Sequence, residues 1–195
     1  MNKVCFLIVL FFLIPLMAIG QSFWEKTKGP DGVSVGDFTQ DTAGNIYLIP
    51  YLNPENGLYK STDDGLNWVK LNPITSKLLS IRSNLECAKD GTLYYFPFVS
   101  PMEIGFYKSK DGGQTWASGF CTVGNIPLTC FNSVVANNGD IVAISSPYVI
   151  KSSDEGETWV AIDTLSDLSF NAQVILNGHG FKLGFKENPI YKKRD

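Results

Sequence analysis

An eight-residue pattern, Ser-x-Asp-x-Gly-x-Thr/Asn-Trp, occurs three times in this chain and constrains its fold more than any other feature. The copies recur after 48 and then 43 residues, and an apolar or aromatic pair and a lysine precede each one. The shared residues are Ser61, Asp63, Gly65 and Trp68, then Ser109, Asp111, Gly113 and Trp116, then Ser152, Asp154, Gly156 and Trp159. A spacing in the forties predicts a chain of repeated supersecondary units.

A second landmark, a turn glycine before a β-prone pair, lies upstream of each copy. The three glycines are Gly44, Gly91 and Gly139, and their spacings of 47 and 48 residues also lie in the forties. Short β-branched and aromatic runs separate the turns, and the chain has 13% aromatic residues, 18 glycines and 10 prolines. Two turns per period between such runs predict a four-stranded antiparallel meander, which has the size of a propeller blade.

The residue types of the pattern suit a tight turn between the third and fourth strands of a blade. Serine and aspartate side chains bond back to nearby backbone N–H groups. Glycine at the fifth position permits a positive φ, and the closing tryptophan begins the outer strand with its ring packed under the hairpin. The aspartates could instead form a calcium or catalytic site, but a turn that every blade needs explains their repetition. We expect a structural role.

The pattern resembles the Asp box, or bacterial neuraminidase repeat, of sialidases, sortilin-type receptors and related propellers. The resemblance implies an all-β fold of β-propeller-type repeats, each a four-stranded antiparallel blade. It also implies that the boxes lie away from any catalytic centre. We expect about four blades, three of them complete and one shared between the N- and C-terminal ends of the chain.

The two ends of the chain resemble complementary parts of one blade. The segment around Trp24 resembles an outer strand, and residues 190–195 resemble the lead-in to a box. In one interpretation the N-terminal strand completes the last blade and closes a four-bladed ring, which removes exposed sheet edges. In the other, the chain is an open arc at the start of a longer propeller.

The first 20 residues are typical of a signal peptide. Lys3 supplies the positive charge, residues 4–17 are uninterrupted and apolar, and Ala18 and Gly20 suit a cleavage site before Gln21. A retained membrane anchor is the alternative, but the apolar run is short for a bilayer span. We expect residues 21–195 to be exported to the periplasm, cell surface or medium, with no membrane span after cleavage.

The cysteines fit an oxidising compartment. Cys121 and Cys130 flank one short loop and form a possible disulfide, although sequence spacing alone cannot establish the Cα distance that a disulfide needs. Cys87 would then be a buried free thiol on an apolar strand.

Composition argues against several functions. The net charge is −3 and no long basic run is present, so nucleic acid is not an expected partner. The clamp of three arginines implied by the sialidase resemblance cannot form from Arg82 and Arg194, the two arginines of the chain. His179 is the sole histidine and lies in a predicted turn. We expect no metal, cofactor or catalytic residue.

Carboxylates outside the boxes and turns could still serve a different glycosidase, although the sequence does not pair them. They are Glu55, Glu86, Glu103, Asp37 and Asp167. An aromatic group could stack on sugars, but strand composition favours alternating core and surface positions on two inner strands. Its members are Tyr94, Tyr95, Phe96, Phe98, Phe106 and Tyr107.

These observations predict an exported, non-catalytic propeller module that binds a protein or a glycan. The alternative is an N-terminal fragment of a larger Asp-box, sialidase-like glycoside hydrolase. A third interpretation is a purely structural repeat segment of a surface protein.

Overall fold

The computed structural model describes residues 29–30, 32–51, 57–71, 83–97 and 105–165, and the backbone of three strands between 172 and 191. Several predicted features lie outside the described residues, and the choice between a ring and an arc rests on some of them. They are the export segment at 1–20, the strand at Trp24, Glu55, Arg82, Phe98, Glu103, Asp167, His179 and Arg194.

The described chain is a series of antiparallel sheets, each formed by strands consecutive in sequence. Blade 1 comprises β1 (Val35–Gln40), β2 (Ile46–Pro50), β3 (Tyr59–Ser61) and β4 (Val69–Lys70). Blade 2 comprises β5 (Asn84–Cys87), β6 (Leu93–Phe96), β7 (Phe106–Ser109) and β8 (Ala117–Gly119). A two-stranded hairpin follows, β9 (Cys121–Val123) with β10 (Ile126–Leu128).

Two further sheets complete the described chain. Blade 3 comprises β11 (Phe131–Val135), β12 (Ile141–Ser145), β13 (Tyr148–Ser152) and β14 (Val160–Thr164). A three-stranded sheet comprises β15 (Ala172–Asn177), β16 (Gly180–Phe185) and β17 (Asn188–Tyr191). The prediction of an all-β fold with four-stranded antiparallel blades is confirmed. In the described part of the chain, no helix is long and apolar enough to cross a membrane.

The first turn of each blade is a tight hairpin at the predicted glycine. Gly44, Gly91 and Gly139 have φ values of 87°, 89° and 88°, which a residue with a side chain adopts only with strain. In each turn the glycine N–H donates to the carbonyl three residues earlier. These hydrogen bonds fix the register between the first and second strands of each blade. The second strand is buried on both faces.

The blades pack face to face, with their first strands side by side in the order β1, β5, β11, β15. Apolar side chains fill both interfaces between the three complete blades. The interface of blades 1 and 2 contains Tyr47, Ile49, Leu58, Leu85, Leu93, Tyr95 and Tyr107. That of blades 2 and 3 contains Tyr94, Phe96, Phe106, Val135, Ile141, Ala143, Ile150 and Trp159. Each such side chain contributes about 1.5–3 kcal/mol when buried. The described members of the aromatic group are all buried, so the expected alternation of core and surface positions is wrong, because a blade packs on each face of these strands.

The segment between blades 2 and 3 is a hairpin rather than the simple loop expected from the sequence. Cys121 and Cys130 flank this hairpin, and their Sγ atoms are bonded at 2.19 Å with the Cα atoms 6.5 Å apart. Both residues are fully buried in the interface of blades 2 and 3. Cys87 is a free thiol but is half-buried rather than fully buried, and burial raises its pKa to about 11.

Candidate functional site

The side chains of the three copies of the eight-residue pattern, which we call boxes, bond within their own turns. In each box the serine hydroxyl accepts from the glycine N–H at 2.9 Å and donates to the aspartate Oδ1 at 2.8–2.9 Å. The same Oδ1 accepts from the backbone N–H four residues later, at 2.8–2.9 Å. These bonds hold the chain through the reversal between the third and fourth strands.

The second carboxylate oxygen of each box aspartate is also occupied. It accepts from the Asn67 amide at 2.7 Å, the Thr115 hydroxyl at 2.6 Å or the Thr158 hydroxyl at 2.5 Å. The threonine hydroxyls, followed by the backbone donors, lower the pKa of Asp111 and Asp154 to about 2. A carboxylate held ionised by local donors is poorly suited to proton transfer near neutral pH.

The turns contain a constraint that the sequence analysis missed, because the fourth box residue also has a positive φ. Its φ is 57° at Asp64, 68° at Gly112 and 58° at Glu155, directly before the box glycine. The sequence contains one signal of this constraint: the second of the three boxes has a glycine, Gly112, at the fourth position. The turn is completed by the tryptophan, whose Nε1–H donates to the carbonyl of the box glycine in all three copies.

The box glycines of blades 2 and 3 also provide room for the preceding blade. A Cβ atom on Gly113 would lie 2.6 Å from Cδ2 of Leu58, and one on Gly156 would overlap Cζ of Phe106. Leu58 and Phe106 are the first lead-in residues of the preceding boxes. The glycine therefore serves both the local turn and the contact between blades.

The lead-in lysine of blade 2, Lys108, strengthens the contact with blade 3. Nζ of Lys108 in blade 2 lies 3.2 Å from the carbonyl oxygen of Glu155, 3.4 Å from its carboxylate and 3.2 Å from the carboxylate of Glu157. In blade 1, Nζ of Lys60 lies 5.1 Å from the centre of the Tyr47 ring. Lys108 thus joins blades 2 and 3, whereas the Lys60 contact and the ion pair of Lys151 with Asp140 at 2.6 Å each lie within one blade.

A second set of polar contacts joins the first strands of the blades. Oδ2 of Asp37 in blade 1 accepts from the Leu85 N–H of blade 2 at 2.8 Å and from the Asn84 amide at 3.3 Å. Oδ1 of Asn84 accepts from the Ser133 hydroxyl of blade 3 at 2.6 Å and from its N–H at 2.9 Å. Asp37, Asn84 and Asn132 follow one another at about the blade spacing, and Asn132 lies in a bulge of β11. Their recurrence at this spacing is the sequence signal that could have indicated the contacts between first strands.

Of the five carboxylates that the sequence left unpaired, the structure brings Asp37 and Glu86 together. The Asn84 amide donates to Oε1 of Glu86 at 3.2 Å as well as to Asp37. Burial raises the pKa of Glu86 to about 7; the Asn84 hydrogen bond opposes this and the charge of Asp37 adds to it. A carboxyl group with a near-neutral pKa beside a second carboxylate can act as a general acid or base.

A cleft of about 420 Å³ opens between blades 2 and 3, and we call it the blade 2–3 cleft. It is lined by turn residues 88–90 and Tyr94 of blade 2, turn residues 137–139 of blade 3, and the box residues Ser153 and Glu155. Amide, hydroxyl and carboxylate groups thus surround a small volume. Among the described residues, no group of three or more histidine, cysteine, aspartate or glutamate side chains is placed to hold a metal ion.

The sequence matches no protein-family model and no curated protein. Solved structures do resemble it. YCF48 from Cyanidioschyzon merolae has a TM-score of 0.59 and 13% identity, over 88% of this chain and 60% of its own. A structure of YCF48 bound to D1 peptide has a TM-score of 0.50 and 18% identity, over 85% and 56%.

Two bacterial proteins are also similar. XC5397 from Xanthomonas campestris, described as a gluconolactonase, has a TM-score of 0.56 and 15% identity, over 86% of this chain and 60% of its own. The GH74 enzyme of Niastella koreensis has a TM-score of 0.56 and 18% identity, over 82% of this chain and 28% of its own. These neighbours are β-propellers. The chain spans less than two thirds of each, and it shares their β-propeller fold.

Proposed function

We propose that this chain is an exported, non-catalytic propeller module that binds a protein or a glycan. The commitment of the box carboxylates to their own turns is the observation that carries this proposal. Asp63, Asp111 and Asp154 have both oxygens bonded to nearby donors. The side-chain bonds that recur in every box therefore stabilise the blades, which leaves the exposed surface, including the blade 2–3 cleft, for recognition.

Export is supported by two features. The first 20 residues fit a signal peptide that would be removed before Gln21. The disulfide between Cys121 and Cys130 suits an oxidising compartment such as a periplasm or a cell surface. The existence of a propeller neighbour bound to a peptide is compatible with a binding role.

A specific observation favours one alternative, a fragment of a larger Asp-box glycoside hydrolase. Asp37 and Glu86 share the Asn84 amide, and Glu86 has the near-neutral pKa of a general acid. Against this, Asp37 already accepts from the backbone of blade 2 and from the Phe38 N–H at 2.9 Å. A carboxylate so engaged fits a connection between blades better than a nucleophile.

The test is a binding screen of purified residues 21–195 against immobilised neutral and acidic oligosaccharides and synthetic peptides. We expect saturable binding to one of these classes. Release of a shortened sugar, abolished by Glu86→Gln, would replace the binding proposal with the hydrolase. Absence of binding to every probe would contradict the proposal directly.

A further inference from the structure

Tyr47 of blade 1 and Tyr94 of blade 2 occupy equivalent positions with different surroundings. Each is the second residue of its blade's second strand, follows a turn glycine, and is 2% exposed. In blade 1 the Tyr47 hydroxyl donates to Oδ2 of Asp41 at 3.1 Å. Asp41 begins the turn, where its backbone N–H donates to the carbonyl of Asn45.

Blade 2 lacks this acceptor. Ala88 occupies the position in blade 2 that Asp41 occupies in blade 1, because its N–H donates to the Thr92 carbonyl as the Asp41 N–H donates to the Asn45 carbonyl. Within the described residues, the Tyr94 hydroxyl has no hydrogen-bond partner. A buried hydroxyl without a partner costs free energy that a bound acceptor would recover. Tyr94 and Ala88 both line the blade 2–3 cleft.

The charges around the cleft restrict what can be this acceptor. Lys89, Asp90 and Glu155 line the cleft, and Glu155 is already paired with Lys110 at 2.6 Å and Lys108 at 3.4 Å. An anionic ligand would meet two carboxylates against one lysine of the lining, and a simple cation could not accept from a tyrosine hydroxyl. A neutral oxygen of a hydroxyl or carbonyl group accepts a hydrogen bond from tyrosine and is not repelled by the carboxylates.

The rest of the lining favours a hydroxyl-rich ligand. Exposed Asn137 offers an amide and Lys89 an ammonium group, and Asp90, Glu155 and Ser153, which also bond within the protein, offer further acceptor oxygens on the same cleft. A volume of about 420 Å³ lies within the range of small-molecule sites. A neutral sugar ring carries several hydroxyl groups that can donate to the carboxylates and accept from tyrosine at once, whereas one peptide carbonyl would satisfy Tyr94 alone.

We propose that the blade 2–3 cleft binds a neutral saccharide unit, one of whose oxygens accepts a hydrogen bond from the Tyr94 hydroxyl. This inference rests on the proposed binding function and narrows its ligand to a neutral glycan at a defined site. The saccharide takes the position that the Asp41 carboxylate occupies in blade 1.

The experiment is calorimetric titration with neutral oligosaccharides of glucose, galactose, mannose and xylose, with glucuronate-containing oligosaccharides and synthetic peptides as comparators. Tyr94→Phe removes only the hydroxyl and leaves the buried ring, so the variant should fold. Ala88→Asn is a second variant, which places an acceptor inside the cleft. Tyr47→Phe is the matched control, because it removes the equivalent hydroxyl from blade 1.

We expect one neutral oligosaccharide to bind, with about tenfold weaker affinity for Tyr94→Phe, the equivalent of one hydrogen bond. Ala88→Asn should also weaken binding, and Tyr47→Phe should not. If both cleft variants bind the saccharide as the wild type does, the assignment to the cleft is wrong while glycan binding stands. If peptides alone bind, the saccharide proposal is wrong and the binding function stands; if no probe binds, both are wrong.

Discussion

Replacing Glu86 with glutamine should remove a pH dependence of stability that the wild-type protein has between about pH 4.5 and pH 7. The pKa of this carboxyl rises from its ordinary 4.5 to about 7 in the folded protein, mainly because of burial. In this interval the unfolded chain has released a proton that the folded protein still holds. Stability therefore falls as the pH rises through the interval and does not recover above it.

The pKa values set the size of the effect. One unit of difference corresponds to about 1.4 kcal/mol, so the folded protein should lose up to about 3 kcal/mol across the interval. Glutamine resembles the protonated carboxyl and does not titrate. The Glu86→Gln variant should match the wild type at low pH and exceed its stability at high pH by up to about 3 kcal/mol.

The assay is urea denaturation at a series of pH values from about 4 to about 8. Glu157→Gln is the control, because the side chain of Glu157 is 75% exposed. The control should retain the pH dependence of the wild type. If the difference in stability between wild type and Glu86→Gln is the same at both ends of the series, the reasoning from burial is refuted.

Three further predictions concern the contacts that hold the blades. Gly156→Ala should lower the free energy of unfolding by about 2–5 kcal/mol, because of strain at positive φ and overlap with Phe106. Gly139→Ala is the control: its new Cβ atom meets no atom within 4 Å, so it should show the strain of about 1–2 kcal/mol alone. Equal losses for the two variants in urea denaturation would rule out the overlap. Asn84→Ala should destabilise by about 1–3 kcal/mol, since it leaves the Ser133 N–H and hydroxyl of blade 3 without their acceptor and removes a donor to Asp37 of blade 1, and an unchanged midpoint would contradict that role. Asp111→Ala should lower the melting temperature without changing saccharide affinity; the reverse result would make the box a binding site.

The sequence predicts the parts of the fold that depend on neighbouring residues. The box at residues 109–116 is closed by bonds between residues no more than four apart, so its turn is recognisable from residue types alone. The same holds for the turn glycines, which need a positive φ. Repetition at the blade spacing then indicates the architecture.

The polar contacts between blades could not be assigned in this way. Asn84 bonds to Asp37 and Ser133, which lie 47 and 49 residues away, and its residue type is equally common in exposed turns. The pKa of Glu86 depends on its burial between blades, which a single strand does not specify. The surroundings of Tyr94 became informative only when the structure aligned it with Tyr47. Contacts between neighbouring blades decide the first two, and the third depends on a comparison of equivalent positions in blades 1 and 2.

The most direct test of a binding module without catalysis is a product analysis of the saccharide that binds most tightly in the calorimetric screen. Purified residues 21–195 are held with this saccharide at a concentration that saturates the protein, and the sugar is then separated by chromatography. We predict that the saccharide is recovered at its original length in full amount. Shortened products from the wild type that disappear with Glu86→Gln would contradict the non-catalytic function and identify the chain as part of a hydrolase.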